Sequence, residues 1–334
     1  MLPTVQIGVR GEDLLLQQGE DLIVLERLGR PAAEALRAWD GTRTEAQLIE
    51  QSSLTPVLVA VLDKLGWVVR LRCPLSAISA RMPWISRQVS YWAHLNQLYP
   101  DDTVSDLSQR RVTIAGMGGV GSHVAFSLCA SGVSELTLVD RDCVEPSNLN
   151  RQFLYSAKDV GRPKVSAAAT ALASRFPTTK VFPVFDDLDA GNNFEVFDRD
   201  LLVICGEYGI HLDNPSIVGK TPVLLGGYHG RHGVLGPLVS KPHGTSCWCC
   251  FVAHHAIGSS RALVAETRPA LHGFNSSSST INGIVGSWLA EAAVRSMTRA
   301  AGKECLLEQR VRVDMLNWQV TSYDMSAPSC RCFE

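Results

Sequence analysis

The sequence predicts an α/β protein built on a mostly parallel sheet, with a smaller unit ahead of it. Three observations carry that expectation. From residue 111 onward, strand-like runs at 111–116 and 135–140 alternate with helical stretches at 122–131 and 164–175, the pattern of a parallel sheet with crossover helices. Glycines cluster at the first strand-to-helix junction, at Gly116, Gly118, Gly119 and Gly121. The first eighty residues follow a different pattern, with short alternating runs and then three helical stretches.

At the amino end, residues 5–9 and 13–16 alternate weakly and 22–25 is a short apolar run, so all three read as small strands. The stretch 31–39 opens with Pro31, suited to a first helical turn, and stops at the Asp40-Gly41 turn signal. Residues 44–51 and 56–65 supply two more helices, and 68–71 is expected to close the unit as a strand. This order makes a small winged-helix-like module over residues 1–80, followed by a second domain over 81–334. A plain dimerisation or packing appendage accounts for the same pattern equally well.

Residues 74–110 read as helical and linking, with Trp84, Trp92 and Leu95 as buried anchors. Runs at 201–205 and 222–225 add strands, and 234–239 and 311–318 either extend the sheet or form an antiparallel edge. Between them, 256–279 is rich in Ser, Gly and Pro without a period, and so long a loop inside a compact domain is usually functional. Residues 281–299 are an amphipathic helix with Trp288 and Leu289 expected on its apolar side.

Composition narrows the classes of function. Across 334 residues, 31 Lys plus Arg stand against 33 Asp plus Glu, a net charge of −2 that removes the global electrostatic case for nucleic acid or an anionic membrane. Any polyanion bound must be small. No basic segment precedes an apolar run near the start, which implies a cytoplasmic location. No apolar window approaches a membrane span of about 18 residues, since 57–71 is broken by Asp63, Lys64 and Arg70. Ten cysteines remain, and in a reducing compartment packing thiols or a metal site explain them better than disulfides.

Gly116, Gly118, Gly119 and Gly121 follow a predicted strand and precede a predicted helix, the context in which a Gly-rich turn admits phosphate to a helix amino terminus. Asp140 ends the next strand, where a carboxylate accepts hydrogen bonds from ribose hydroxyls. Alone, this Rossmann-like arrangement suggests a nucleotide or dinucleotide, NAD being the commonest. The following run is more specific: Asn148, Arg151 and Gln152 lie in SNLNRQF, and Lys164 closes VGRPK.

Together these strings resemble the adenylyltransferases of the ThiF, MoeB and ubiquitin-activating type, over roughly residues 84–332. The resemblance implies that ATP is the nucleotide, that Arg151 and Lys164 contact its phosphates, that Asn148 and Gln152 orient them, and that Mg2+ stabilises the leaving pyrophosphate. Trp84-Ile85-Ser86-Arg87-Gln88 resembles the segment by which the family carries an arginine into a neighbouring subunit, implying a homodimer with Arg87 acting in trans. The family's Mg2+-binding aspartate has no match after 201–205, so Glu207 takes that place, with Asp213 as the fallback.

Cys247, Cys249 and Cys250 form one thiol cluster and Cys330 and Cys332 another, some eighty residues apart. Two such clusters meet the tetrahedral demand of structural Zn2+. Many members of the family carry a CxxC pair at each place, so Cys247, Cys250, Cys330 and Cys332 are the expected ligands, with Cys249 able to replace a neighbour. Cys73, Cys129, Cys143, Cys205 and Cys305 are expected to be packing residues.

The Asp40-Gly41-Thr42-Arg43 turn resembles the leader-peptide recognition domains of bacterial peptide-modifying enzymes. With the adenylating domain and terminal cysteines it gives an arrangement similar to the enzymes of microcin C and pantocin A maturation. That implies a ribosomally made precursor peptide, held by strand addition to a sheet edge, with one carboxylate activated as an acyl adenylate. His254, His255 and His272 lie in or beside the long loop and could serve as a base for a cyclisation. Activation of a ubiquitin-like or sulfur-carrier protein at its terminal glycine is the alternative, and an NAD-dependent oxidoreductase is the third reading, against which Arg151 and Lys164 count.

Overall fold

The computed structural model describes residues 5–93, 95, 99–186, 198–205, 221–240, 250, 254, 277–298, 306 and 308–326. The chain forms two compact units that divide between Ser105 and Asp106.

In the first unit, β1 (Gln6–Arg10), β2 (Asp13–Gln18) and β3 (Asp21–Leu25) form an antiparallel meander with β2 in the centre. The alternation of β2 sends Leu14 and Leu16 into the core, both fully buried. Against them pack α1 (Gly29–Arg37) and α3 (Thr55–Lys64) through Leu36, Leu58 and Leu62. The intervening helix α2 (Glu45–Gln51) opens on a capping box, in which Thr44 Oγ1 accepts from the Gln47 N–H and Gln47 Oε1 accepts from the Thr44 N–H. These elements match the expected strands and helices.

Residues 68–71 depart from expectation: they join no ladder, and the sheet stops at three strands. Both ends of the segment are tied elsewhere. The Trp67 N–H bonds back to the Leu62 carbonyl (2.7 Å), and the Arg72 and Cys73 N–H groups donate to Asp101 Oδ2. The same Asp101 bonds draw 100–105 into the first unit, so it runs past residue 80 through α4 (Leu75–Arg81), α5 (Ser86–Ala93) and the start of α6 (Pro100–Leu107). Trp92 is buried as expected, whereas Trp84 and Leu95 are half-buried.

The second unit holds an eight-stranded sheet. Its elements are β4 (Arg111–Ala115), α7 (Gly119–Ala130), β5 (Glu135–Val139), α8 (Lys164–Arg175), β6 (Lys180–Val184), β7 (Leu201–Cys205), β8 (Val223–His229), β9 (His232–Val239), α9 (Ser279–Met297), β10 (Gln309–Asp314) and β11 (Gln319–Asp324). The order is β11-β10-β9-β8-β7-β4-β5-β6, parallel from β8 to β6 and antiparallel from β9 to β11. This is the predicted mostly parallel α/β sheet, and the late strands form its antiparallel edge. The chain leaves β4 to one side for β5 and β6 and returns to its other side as β7, so the strand order reverses beside β4. Ligands of open α/β sheets bind outside the carboxyl ends of the strands at such a switch point.

Sequence reading missed β6, because Pro183 interrupts the short run; proline is tolerated in an edge strand, and here Lys180, Phe182 and Pro183 are exposed. Residues 311–318, read as one strand, are divided by a turn at 315–318 in which Asp314 Oδ1 accepts the Leu316 N–H. In α9, Leu289 is buried but its neighbour Trp288 is 36% exposed, since adjacent helical residues point about 100° apart. Small residues let α9 lie close on the sheet: Cβ atoms at Gly226 and Gly233 would come 2.6 Å from Leu289 Cδ2 and Val285 Cγ2. Of the expected packing thiols, Cys129 and Cys205 are buried, while Cys73, in a bend, and Cys143, in an isolated bridge to Pro163, are exposed because they sit outside the core elements; Cys305 lies outside the described residues. So does the 256–279 loop up to residue 276. Among the described residues, no helix is long and apolar enough to cross a membrane.

The core assignment predicts unequal costs for two apolar truncations in the first unit. Leu58→Ala, at a fully buried position, should destabilise that unit by about 2–5 kcal/mol in urea unfolding, whereas Ile49→Ala, 42% exposed, should stay within about 0.5 kcal/mol. Equal losses would contradict the assignment.

Candidate functional site

The site is built where β4 ends. Gly116 adopts φ +92°, a conformation that L side chains rarely take, and its N–H donates to the Val139 carbonyl of β5 (2.9 Å). The chain then turns into α7. A Cβ at Gly121 would run into the Gly116 carbonyl, and one at Gly119 into the Asn282 side chain of α9. Packing therefore requires glycine at 119 and 121, and backbone conformation requires it at 116. Gly118 differs: the nearest atom to a Cβ there is Gln152 Nε2 at 3.8 Å, so this face of the loop stays open.

Gly118 is also the N-cap of α7. No side chain caps the helix, and its first turn holds no acidic residue. The first-turn N–H groups and the positive end of the helix dipole are thus presented to an external anion.

Asp140, at the end of β5, is buried and uses both carboxylate oxygens. Oδ2 accepts the Met117 N–H (2.6 Å) and Oδ1 accepts the Asp142 N–H (2.8 Å). Burial pushes its carboxyl above the usual carboxylate range, against the opposing pull of Lys164 and the two N–H bonds. Asp140 therefore fastens the glycine loop to the chain that follows β5. One lone pair on each oxygen remains for a ribose hydroxyl, the role expected from sequence.

Residues 141–163 fold back on themselves. The Val144 N–H donates to the Arg162 carbonyl (2.8 Å), the Gly161 N–H to that of Val144 (2.9 Å) and the Lys164 N–H to that of Asp142 (2.9 Å). This places Lys164, the buried first residue of α8, with Nζ 2.8 Å from Asp142 Oδ2 and close enough to Asp140 to act on its charge. Lys164 is thus held beside the glycine loop although it lies 48 residues along the chain from Gly116.

Asn148 is buried and closes its own turn, its Oδ1 accepting the Glu145 N–H (3.0 Å). Arg151 is half-exposed; its Nη1 donates to the Ser147 carbonyl (2.8 Å) and to Asn150 Oδ1 (2.9 Å), which leaves its other donors available. Gln152 is buried beside Gly118, and its Oε1 has no hydrogen-bond partner. An open glycine, an uncapped helix start, a buried lysine and an unpaired carboxamide oxygen suit a polyanion that also carries hydroxyl or amino donors. A nucleoside triphosphate is such a group.

Three contributors escaped sequence reading. Tyr155 is buried, its hydroxyl donating to the Met117 carbonyl (2.7 Å), so Met117 is held from both sides. Asn282 is buried against Gly119, with Nδ2 donating to Ser277 Oγ and the Ser278 carbonyl and Oδ1 unpaired. His123 packs on Phe153 (4.6 Å between ring centroids), and burial pushes its imidazole below the ordinary value. No periodicity marks these positions, because each is selected by a neighbour distant in sequence.

Arg87 is exposed on α5 in the first unit. Cys250 is half-exposed and His254 exposed. Glu207, Asp213, Cys247, Cys249, Cys330, Cys332, His255 and His272 lie outside the described residues. Among the described residues, no group of three or more His, Cys, Asp or Glu could hold a metal ion. Three of the four expected zinc ligands are not in that set.

The profile of the ThiF family matches residues 91–333. The catalytic subunit of the NEDD8-activating enzyme E1 of Schizosaccharomyces pombe is 30% identical over 160 residues, covering 45% of this chain and 35% of that protein. The molybdopterin-synthase adenylyltransferase of Escherichia coli is 39% identical over 107 residues, 32% of this chain and 40% of that protein. The matched stretches span only 35% and 40% of these relatives' lengths. Among solved structures, E. coli MccB with ATP superposes with a TM-score of 0.69 at 20% identity, covering 99% of this chain and 98% of that one. PaaA superposes with a TM-score of 0.71 at 21% identity, covering 97% and 99%. At these identities the superpositions show a shared fold across both units.

The double role of Asp140 gives a test. Asp140→Asn is isosteric but turns one acceptor into a donor that faces a backbone N–H. It should cost about 1–3 kcal/mol of stability and weaken ATP binding, as read by denaturant unfolding and calorimetric titration. Unchanged stability together with unchanged binding would remove Asp140 from the architecture of the loop.

Proposed function

The chain belongs to the ThiF family, and from that premise we propose that it is an ATP-dependent adenylyltransferase activating a carboxylate of a ribosomally made precursor peptide. The observation that carries the reading is the open, uncapped start of α7 at Gly118, with Lys164 held beside the loop by Asp142. A nicotinamide site has no use for Lys164 and Arg151 so placed.

Electrostatics sets what the site must do. For a substrate carboxylate to reach the α-phosphate, two anions approach, and two unit charges 4 Å apart near a protein surface repel by about 4 kcal/mol. A helix amino terminus offsets at most ~2 kcal/mol, so cationic side chains are needed as well. Lys164 and Arg151 would supply them, with Asn148 and Gln152 orienting the phosphates. The carboxylate oxygen bonds to the α-phosphorus, the bond from that phosphorus to the bridging oxygen breaks, and pyrophosphate leaves with the electron pair. The products are an acyl adenylate and pyrophosphate, and a nucleophile of the same peptide then displaces AMP.

Mg2+, ligated in part by Glu207, would neutralise charge on the leaving pyrophosphate. Zn2+ on Cys247, Cys250, Cys330 and Cys332 would tie the chain end to the domain, a reading that rests on four thiolates suiting a tetrahedral ion. A homodimer in which Arg87 reaches the partner's site would add a further cation.

A peptide substrate is supported by the extent of the fold match. E. coli MccB, described as a microcin C7 biosynthetic enzyme, has been solved in complex with N-formylated MccA, and it covers 99% of this chain, the first unit included. In that unit β3 is a sheet edge with Leu22 (56% exposed) and Val24 (40%) outward, a surface suited to strand addition. The second reading, activation of a small carrier protein, is favoured by the curated relatives, whose sequence identities are higher.

Pyrophosphate release from ATP that appears with a precursor peptide and not with a Gly-Gly-ended carrier protein is the expected outcome; the reverse would establish the carrier reading. Arg151→Ala should lower that release by about 10²–10³-fold with the unfolding midpoint unchanged, and retained activity would overturn the assignment of Arg151. Cys330→Ser should release about one zinc per chain and lower the melting temperature, whereas unaltered metal content would contradict the zinc site.

A further inference from the structure

The first unit contains a cleft of about 380 Å³ lined by residues of α2, α3 and 68–74 and by Tyr99. It includes no residue of β3, so it is separate from the sheet edge. Its lining combines apolar side chains, Leu48, Val59 and Val68 among them, with three arginines, Arg43, Arg70 and Arg72, against one carboxylate, Glu45.

Two features of the lining point to a polar, extended occupant. Among the described residues, no backbone hydrogen bond engages the N–H or C=O groups of residues 68–71, although the segment is half-buried and its ends are tied down. Half-buried backbone without a ladder is a template for another strand. Trp39, 91% buried in the cleft wall, has an indole N–H without an acceptor, and buried polar groups are nearly always partnered.

The arginines set the sign of the occupant. Arg72 is held over the Tyr99 ring (4.1 Å) and anchored through Nε to Asp102 (2.7 Å), which leaves the N–H groups of both terminal nitrogens unused. Arg43 spends Nη1 on the Ala38 carbonyl (3.1 Å), with Asp40 beside it at 3.6 Å, and keeps Nη2 and Nε. Arg70 spends both terminal nitrogens on Asp63 (2.7 and 3.2 Å), so Arg72 and Arg43 are the two with a terminal nitrogen to spare; the carboxylate partners Asp40, Asp63 and Asp102 stand outside the lining. Arginines anchored through one nitrogen, with spare donors in the lining of an apolar cleft, recognise carboxylates bidentately.

We propose that this cleft binds an extended acidic peptide segment, which pairs its backbone with residues 68–71, seats an apolar side chain against Leu48 and Val59, and places carboxylates on Arg72 and on Arg43. The inference deepens the peptide reading above and rests on it: it makes the substrate acidic near an apolar residue and gives it a second point of attachment besides β3.

Acetylated, amidated heptapeptides that alternate leucine with glutamate, glutamine or lysine provide the probes, added to the full-length protein and followed by amide hydrogen exchange and calorimetry. The glutamate peptide should slow exchange of the 68–71 amides about tenfold and bind at least tenfold tighter than the lysine peptide. Arg43→Gln and Arg72→Gln, made separately so that one misfolded variant leaves the other informative, should each erase the preference for glutamate over glutamine. No slowing at saturating glutamate peptide, slowing confined to residues 21–25, or equal binding of the lysine peptide would overturn the proposal. Any of these results with peptide-dependent pyrophosphate release intact would overturn the cleft alone. Release with a carrier protein only would overturn the reading beneath it.

Discussion

The carboxylate of Asp140 is the constraint on which the second unit's site depends. Its two oxygens take N–H groups from Met117 and Asp142, so one buried side chain sets the distance between the turn after β4 and the chain after β5. Everything chemical is attached to one of those two ends. The turn presents Gly118 and the start of α7, and Asp142 holds Lys164. Burying this carboxylate disfavours its charged form and raises its pKa, a shift that the two N–H bonds and the nearby ammonium oppose. Tyr155 locks the arrangement from the opposite side through the Met117 carbonyl.

Much of this was legible in the sequence where chemistry and spacing coincide. Gly116 follows a strand and precedes a helix because the turn needs a left-handed residue there, and a short string suffices to reveal it. Asp140 stands at a strand end, and Lys164 begins a helix. The sequence could not separate the four glycines into those that packing or conformation demands and the one that faces the site, because at Gly119 the demand comes from Asn282, more than 160 residues away, and at Gly118 the open face borders Gln152. Tyr155 was invisible for the same reason. Residues 68–71 illustrate the opposite failure: the Val68-Val69 pair and Leu71 have the propensity of a strand, but Leu62 and Asp101 claim the backbone at either end, and no ladder forms.

The two units divide the work that the proposed reaction requires. Carboxylate activation needs an anion cradle with enough positive charge to let a second anion approach, and the second unit supplies the dipole of α7, Lys164 at the start of α8 and Arg151 in the chain between β5 and α8. Selection of the carboxylate needs binding energy remote from the reacting atoms, since oriented delivery can lower a barrier by several kcal/mol. The first unit has two surfaces suited to that purpose, the β3 edge and the arginine-walled cleft. Both would engage backbone, so an extended peptide satisfies them more readily than a folded carrier whose backbone is already paired.

The central claim is that a peptide carboxylate attacks the α-phosphate of ATP, and the fate of one oxygen atom tests it most directly. With the peptide's carboxylates labelled with ¹⁸O and turnover run to completion in unlabelled water, mass spectrometry of the AMP should find one labelled oxygen, transferred as the acyl adenylate collapses. AMP free of label from a reaction that consumed both peptide and ATP would mean that the carboxylate never bonded to phosphorus, and would contradict the account.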